Sequence, residues 1–391
     1  ELFAMDLDTF CRELPKVELH AHLNGSLSRA TMLQLKRFHA DSGLVDKTNA
    51  FIDEFQIGSG DSRNLADCFQ VFSIAHSLTN TPKALSMATT LTLQEFQDDG
   101  CCYLELRSTP RDTPHMTKEL YIETIIQAVQ KSSIHLTMVS CLIVSINRNS
   151  TASEAEEIAD IAINFNKKYP DVVVGIELSG DPTMGEFQTF VPALKRAKDA
   201  GLKVSLHCGE VCNPAEVMEM LQFTPDRIGH GVCVHPSFGG TEQTWTALCK
   251  SKIPVEVCLT SNVNTKSTPD YDSHHFKYLY DAEVPVIICT DDKGMFATSL
   301  SQEYRLCAET FNLSQSQLAR LSLNACQFVF AESARKMLNA KLLNFIDKNE
   351  FRTHCNIKSL DLSKKKQIDC VTVYIIITHA CIKYCVFYEF N

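Results

Sequence analysis

This chain is short of positive charge: 37 Lys and Arg stand against 47 Asp and Glu, leaving a formal net charge of −10 and a pI near 5.7. That deficit argues against nucleic acid or an anionic membrane surface as the main partner. A small anionic substrate stays possible, because one local cation overrides the global sign. No glycine-rich phosphate loop follows the first strand pattern, as an open doubly wound nucleotide-binding sheet would usually require. No paired C-x-x-C is present either. The seventeen cysteines are scattered, often in apolar strand-like contexts such as Cys141, Cys258 and Cys289. They read as reduced, buried thiols rather than as a disulfide framework. No basic segment leading into an apolar one opens the sequence, so no secretory signal is expected, and the expected location is cytoplasmic.

What is present begins with Lys16 to Ser26, reading K-V-E-L-H-A-H-L-N-G-S. Its first half alternates, the period of a strand. Side chains at i and i+2 share a face, so Glu18, His20 and His22 point one way and Val17, Leu19 and Ala21 the other. Two imidazoles about 7 Å apart along one strand can converge on a single ion. Two merely exposed or hydrogen-bonded histidines fit the same pattern, so the remainder of the chain decides.

At 391 residues and 45% hydrophobic content the chain can bury a large core. Leu65 to Leu78 carries Leu65, Phe69, Phe72 and His76 on one helical stripe, a pattern that predicts core packing. Thr81-Pro82 opens a helix that Gly100 closes. Cys101 to Leu106 is a strand ending in R-S-T-P-R, and the alternation then repeats. Strand patterns recur at His135–Ile146, Val172–Leu178, Leu202–Leu206, Arg227–His230, Val255–Leu259 and Val284–Cys289. Helical patterns separate most of them, among them Ser153 to Lys168, where Ser153 and Glu156 suggest a capping box. Eight strands with crossover helices predict a closed (β/α)₈ TIM barrel, with extra helices outside it over Gln302 to Arg335. Residues 1–350 read as one such domain. Residues 351–391 read as an atypical appendage, whose apolar run Val371–Phe390 is interrupted by His379 and Lys383 and is not expected to span a membrane.

Catalytic groups of such barrels sit at the C-terminal strand ends. Those ends here carry His20 and His22, Arg111, Asn147, Gly180, His207 with Glu210, His230, and Asp291 with Asp292. His207 and Asp291 add a third nitrogen and a carboxylate oxygen to the first-strand pair. That is a ligand set for a catalytic divalent metal such as zinc, one per chain. Glu210, three residues past His207 in a glycine-containing turn, fits a general acid or base beside the metal. Taken alone, His230 reads as a core histidine; Asp291-Asp292 could cap a helix, but beside a strand end and a glycine the pair serves the site better.

The motifs H-A-H-L-N-G, S-G-D-P, H-C-G-E, R-I-G-H-G and C-T-D-D, in that order, resemble those of the adenosine/AMP deaminase superfamily. L-E-L-R-S-T-P-R and L-T-S-N are similar to its adenosine deaminase-like subgroup, whose members remove the N6 group from N6-methyl-AMP and related nucleotides. The resemblance covers roughly residues 10–335. It implies a zinc-dependent hydrolytic deaminase of N6-substituted purine nucleotides, acting as a monomer. His20, His22, His207 and Asp291 would be the zinc ligands, with His22 also facing the substrate. Glu210 would be the proton donor, His230 would position the attacking hydroxide, and Asp292 would partner that water or the purine. Gly180 would contact the base through its backbone. Asn24, His76, Ser108, Thr109, Pro110 and Arg111 would hold ribose and phosphate. Asp112 stands where the subgroup's second arginine is expected, and Asn147 where an aspartate is usual, so both departures bear on substrate grip. The other zinc deaminase pattern, H-x-E with P-C-x-x-C, is absent. Two alternatives remain: a deaminase of the free nucleoside, and a non-catalytic barrel that binds a partner.

Overall fold

The computed structural model describes residues 5–42, 52–58, 61–63 and 65–349. Eight parallel strands run in sequence order: β1 (Lys16–His22), β2 (Cys101–Ser108), β3 (Val139–Asn147), β4 (Val173–Ser179), β5 (Lys203–Cys208), β6 (Arg227–His230), β7 (Val255–Val257) and β8 (Val286–Ile288). Every residue of β2 and β4 is buried, which explains their nearly continuous apolar sequences: helices cover one face and the barrel interior the other. The segment after β8 returns to β1. Asp291 N–H donates to the His20 carbonyl at 2.8 Å, and His22 N–H donates to the Asp291 carbonyl at 3.0 Å. The predicted TIM barrel is therefore the observed one, and its seam runs through two candidate metal ligands.

Two local predictions are corrected. The capping box before the helix Ala152–Lys168 is made by Thr151 and Glu154, not by Ser153 and Glu156. Thr151 has extended backbone angles that free its hydroxyl for the Glu154 N–H, whereas Ser153 already lies inside the helix. The strand predicted over Val255–Leu259 ends early, at Val257. Leu259–Asn264 forms a short helix that brings Ser261 and Asn262 back over the barrel mouth. The appendage over residues 351–391 lies outside the described residues. No helix among the described residues is long and apolar enough to cross a membrane. The thirteen described cysteines are free thiols, and all but Cys212 and Cys249 are buried, as the sequence predicts.

One glycine is dictated by the site. A Cβ at Gly25 would lie 1.6 Å from Asp292 Oδ1, so the turn after β1 can approach the turn after β8 only without a side chain.

Candidate active site

Beneath the barrel mouth lies a layer of paired charge. Arg107 bridges Glu177 and Glu256, and Arg227 bridges Glu105 and Glu256, all fully buried. Buried charges persist only when paired and hydrogen-bonded, and this layer meets that condition. Its carboxylates also act upward. His20 Nδ1 lies 2.8 Å from Glu256 Oε2, which fixes the ring and leaves Nε2 aimed into the barrel. Glu177 lies behind His22 and His207, 3.7 Å from Nδ1 of the first and 3.6 Å from Nδ1 of the second.

The opposite ring nitrogens converge. His22 Nε2 lies 3.1 Å from His207 Nε2, and Asp291 Oδ1 lies 3.4 Å from His22 Nε2 and 3.2 Å from His20 Nε2. Buried His20 Nε2 meets that carboxylate oxygen without a well-formed hydrogen bond. Ser261 Oγ donates to the other oxygen of Asp291 at 2.7 Å, turning Oδ1 toward the imidazoles. His230 borders the cluster as well: one ligand atom each from His20, His207, His230 and Asp291 lies within 4.8 Å of the others. Imidazole nitrogens and a carboxylate oxygen that converge on one point, and are themselves held from behind, fit a divalent cation. Asp291 and His230 both hold left-handed backbones, with φ of +61° and +62°. Such residues cost about 1–3 kcal/mol each and gather where function needs an unusual side-chain direction.

Glu210 and Asp292 flank this cluster. Glu210 is largely buried, its side chain 9% exposed, with Oε1 3.6 Å from His230 Nε2. Burial foremost, and then the charge of Asp291, push its carboxyl up to about 8. Burial and Asp291 likewise raise Asp292 well above the usual carboxylate range. Burial drives His230 down to about 3, so that ring is neutral. At neutral pH Glu210 therefore carries a proton it can give away. As pH rises through about 8 that proton is lost, and kcat/KM should then fall about tenfold per pH unit. A plateau held to pH 10 would show that Glu210 is not the donor.

A cavity of about 410 Å³ opens above these groups, within the range of small-ligand sites. His22, Asn24, His76, Ser108, Thr109, Arg111, Asn147, Gly180, His207, Glu210, His230, Asp291 and Asp292 all line it, whereas His20 and Pro110 are buried outside the lining. The stripe read as core is a cavity wall: Leu65, Phe69, Phe72 and His76 all line the void, although Phe72 also packs against a buried apolar cluster. An amphipathic helix has the same 3.6-residue period against a ligand as against a core.

At the rim, Arg111 Nη2 donates to Thr79 Oγ1 at 2.6 Å, and its guanidinium lies over the Tyr121 ring at 5.0 Å. The Tyr121 hydroxyl pairs with Ser108 Oγ at 2.9 Å and accepts from Asn24 Nδ2 at 3.3 Å. Thr79 and Tyr121 are thus the hub that organises the predicted rim residues, and neither carries a signal in the sequence. Asp112 turns outward, 64% exposed, and accepts from the Lys118 N–H at 3.1 Å. It does not neutralise Arg111.

The adenosine deaminase family profile matches residues 15–349. A Bos taurus protein named N6-methyl-AMP deaminase is 43% identical over 332 residues, covering 84% of this chain and 93% of that protein. The crystal structure of an Arabidopsis N6-mAMP deaminase is 38% identical with a TM-score of 0.77, covering 86% of this chain and 99% of that one. Arabidopsis ADAL complexed with IMP is 37% identical with a TM-score of 0.77, covering 87% and 99%.

Proposed function

Because the chain belongs to the adenosine deaminase family, and is thereby an aminohydrolase, we propose that its reaction is the hydrolytic removal of the N6 substituent from N6-methyl-AMP, giving IMP and methylamine. One observation carries this reading: a single cavity has a cluster of metal-binding type on its floor, the Glu210 carboxyl beside it and an arginine on its rim. His20, His22, His207 and Asp291 would hold one divalent cation, zinc by the character of the donors. Such an ion supplies Lewis acidity and brings the pKa of water toward roughly 7.

The chain's own residues do the rest. Glu210 gives its proton to the ring nitrogen next to C6 and so localises the charge that develops as a water oxygen adds there. His230 and Asp292, on either side of the cluster, hold that oxygen to one face of the ring. Gly180, with φ +101°, bends the chain after β4 so that its backbone borders the base. The C6–N6 bond then breaks; of the two protons of the added water, one leaves on the amine and the other restores Glu210, so that C6 keeps the oxygen as a carbonyl. The cavity is complete within one chain, consistent with a monomer, and the free thiols are consistent with the cytoplasm. The catalytic unit is assigned to residues 1–350, since the last described helix ends at Lys348. Truncation at Glu350 should leave activity intact; a dead but folded truncation would place the tail in the active unit.

Incubation with N6-methyl-AMP, read by mass spectrometry, tests the proposal. It requires equimolar IMP and methylamine; unchanged substrate over many enzyme equivalents would reject it. For the phosphate, an arginine on the rim makes charge-assisted bonds worth about 1.5–3 kcal/mol each. Arg111→Ala should therefore raise KM for the nucleotide about tenfold or more and barely change the slow reaction with the nucleoside. Asn24→Asp, which places a carboxylate beside the phosphate, should act in the same direction. Equal effects of Arg111→Ala on both substrates would remove Arg111 from phosphate binding.

A further inference from the structure

We propose that Asn262 is a positioning residue that sets the tautomer of His230. The inference rests on the deaminase reading for its kinetic consequence but not for its structural content. The Asn262 amide Nδ2 lies 3.1 Å from His230 Nδ1, inside the barrel mouth, where Asn262 is 1% and His230 2% exposed. An amide N–H can donate only to a ring nitrogen that lacks a proton. With Nδ2 as the donor, the imidazole is neutral with its proton on Nε2, the nitrogen that faces Glu210 at 3.6 Å, whereas the reversed amide would take a proton from Nδ1. Without that partner a neutral histidine divides between two tautomers, and one of them turns a bare lone pair toward the reacting oxygen.

The surroundings hold both partners still. His230 has a left-handed backbone whose carbonyl accepts from His275 Nε2 at 2.7 Å, so its main chain is fixed from the far side. Asn262 rides on the short helix Leu259–Asn264, and its own carbonyl accepts from the Thr268 N–H at 2.9 Å. The buried carboxyl of Glu303 ties that helix down, accepting from Thr260 N–H at 3.1 Å, from the Thr260 hydroxyl, and from Thr298 Oγ1 at 2.6 Å. The neighbouring residue, Ser261, orients Asp291. One short helix thus aims two groups of the site, a metal-cluster carboxylate through Ser261 and an imidazole through Asn262.

The test uses full-length protein labelled with ¹⁵N-histidine. Long-range ¹H–¹⁵N correlation, with the His230 signals assigned by their loss in His230→Gln, reports which nitrogen carries the proton. The wild type should show Nδ1 bare and Nε2 protonated; a proton on Nδ1 overturns the proposal whatever the variants do. Asn262→Asp keeps the shape but replaces the donor with an acceptor. It should move the proton to Nδ1 and lower kcat about 10- to 100-fold, the usual cost of losing an orienting partner. Metal content and KM for N6-methyl-AMP should stay near wild type. Unchanged kcat in a folded, metal-loaded Asn262→Asp protein would also overturn it. Failure of the deaminase reading would instead appear as an inactive wild type with the expected spectrum.

Discussion

Glu210→Gln should bind as much metal as wild type and turn over about 10²- to 10⁴-fold more slowly, the usual range for losing a general acid. Glutamine fills the same volume and keeps a polar contact toward His230, but it has no proton to transfer at neutral pH. Glu210 is also absent from the ring of donor atoms formed by His20, His22, His207 and Asp291. The change should therefore fall on kcat, with metal per chain and thermal stability nearly constant. Activity within a few-fold of wild type would take the proton-donor role away from Glu210.

His207→Ala and Asp291→Ala should lose the metal as well as the reaction. Each removes a donor from a group joined by contacts of 3.1 Å (His22 to His207), 3.2 Å (His20 to Asp291) and 3.4 Å (His22 to Asp291), and the remaining atoms no longer enclose an ion. Metal analysis should fall from about one ion per chain to a small fraction, with activity dropping at least as far as in Glu210→Gln. Metal that binds only the folded state also stabilises it. Chelation should accordingly lower the Tm of wild type and leave the Tm of His207→Ala unmoved. Full occupancy in either variant would place the metal elsewhere.

Much of this site could be read from the chain because strand periodicity is strict. Alternation in β1 puts His20 and His22 on one face, and parallel strands send every strand end to the same rim, so residues far apart in sequence could be predicted to meet. What escaped was held by partners with no local signature. Glu256 is one carboxylate in a three-residue strand, yet it accepts from His20 and closes two ion pairs. Charged residues recurring inside otherwise apolar strands, such as Glu105 and Arg107 in β2, Glu177 in β4 and Glu256 in β7, were the available hint. Buried charge in an all-buried strand must have a partner. Tyr121 and Thr79 gave no such hint, since a tyrosine or threonine on a helix is ordinary. The Leu65–His76 stripe gave a misleading one, because periodicity reports a face and not what covers it. The short helix after β7 was missed because L-T-S-N directly follows a strand, and its helical state depends on the distant Glu303.

The proposed occupant of this cavity is a purine bearing a 5′-phosphate. The most direct measurement is the ratio of kcat/KM for N6-methyl-AMP to that for N6-methyladenosine, with one wild-type preparation at one ionic strength. Arg111 at the rim, an outward-turned Asp112 and a neutral Asn24 predict a ratio of about ten or more. A ratio at or below one would contradict the account, and would make this chain a deaminase of the free nucleoside.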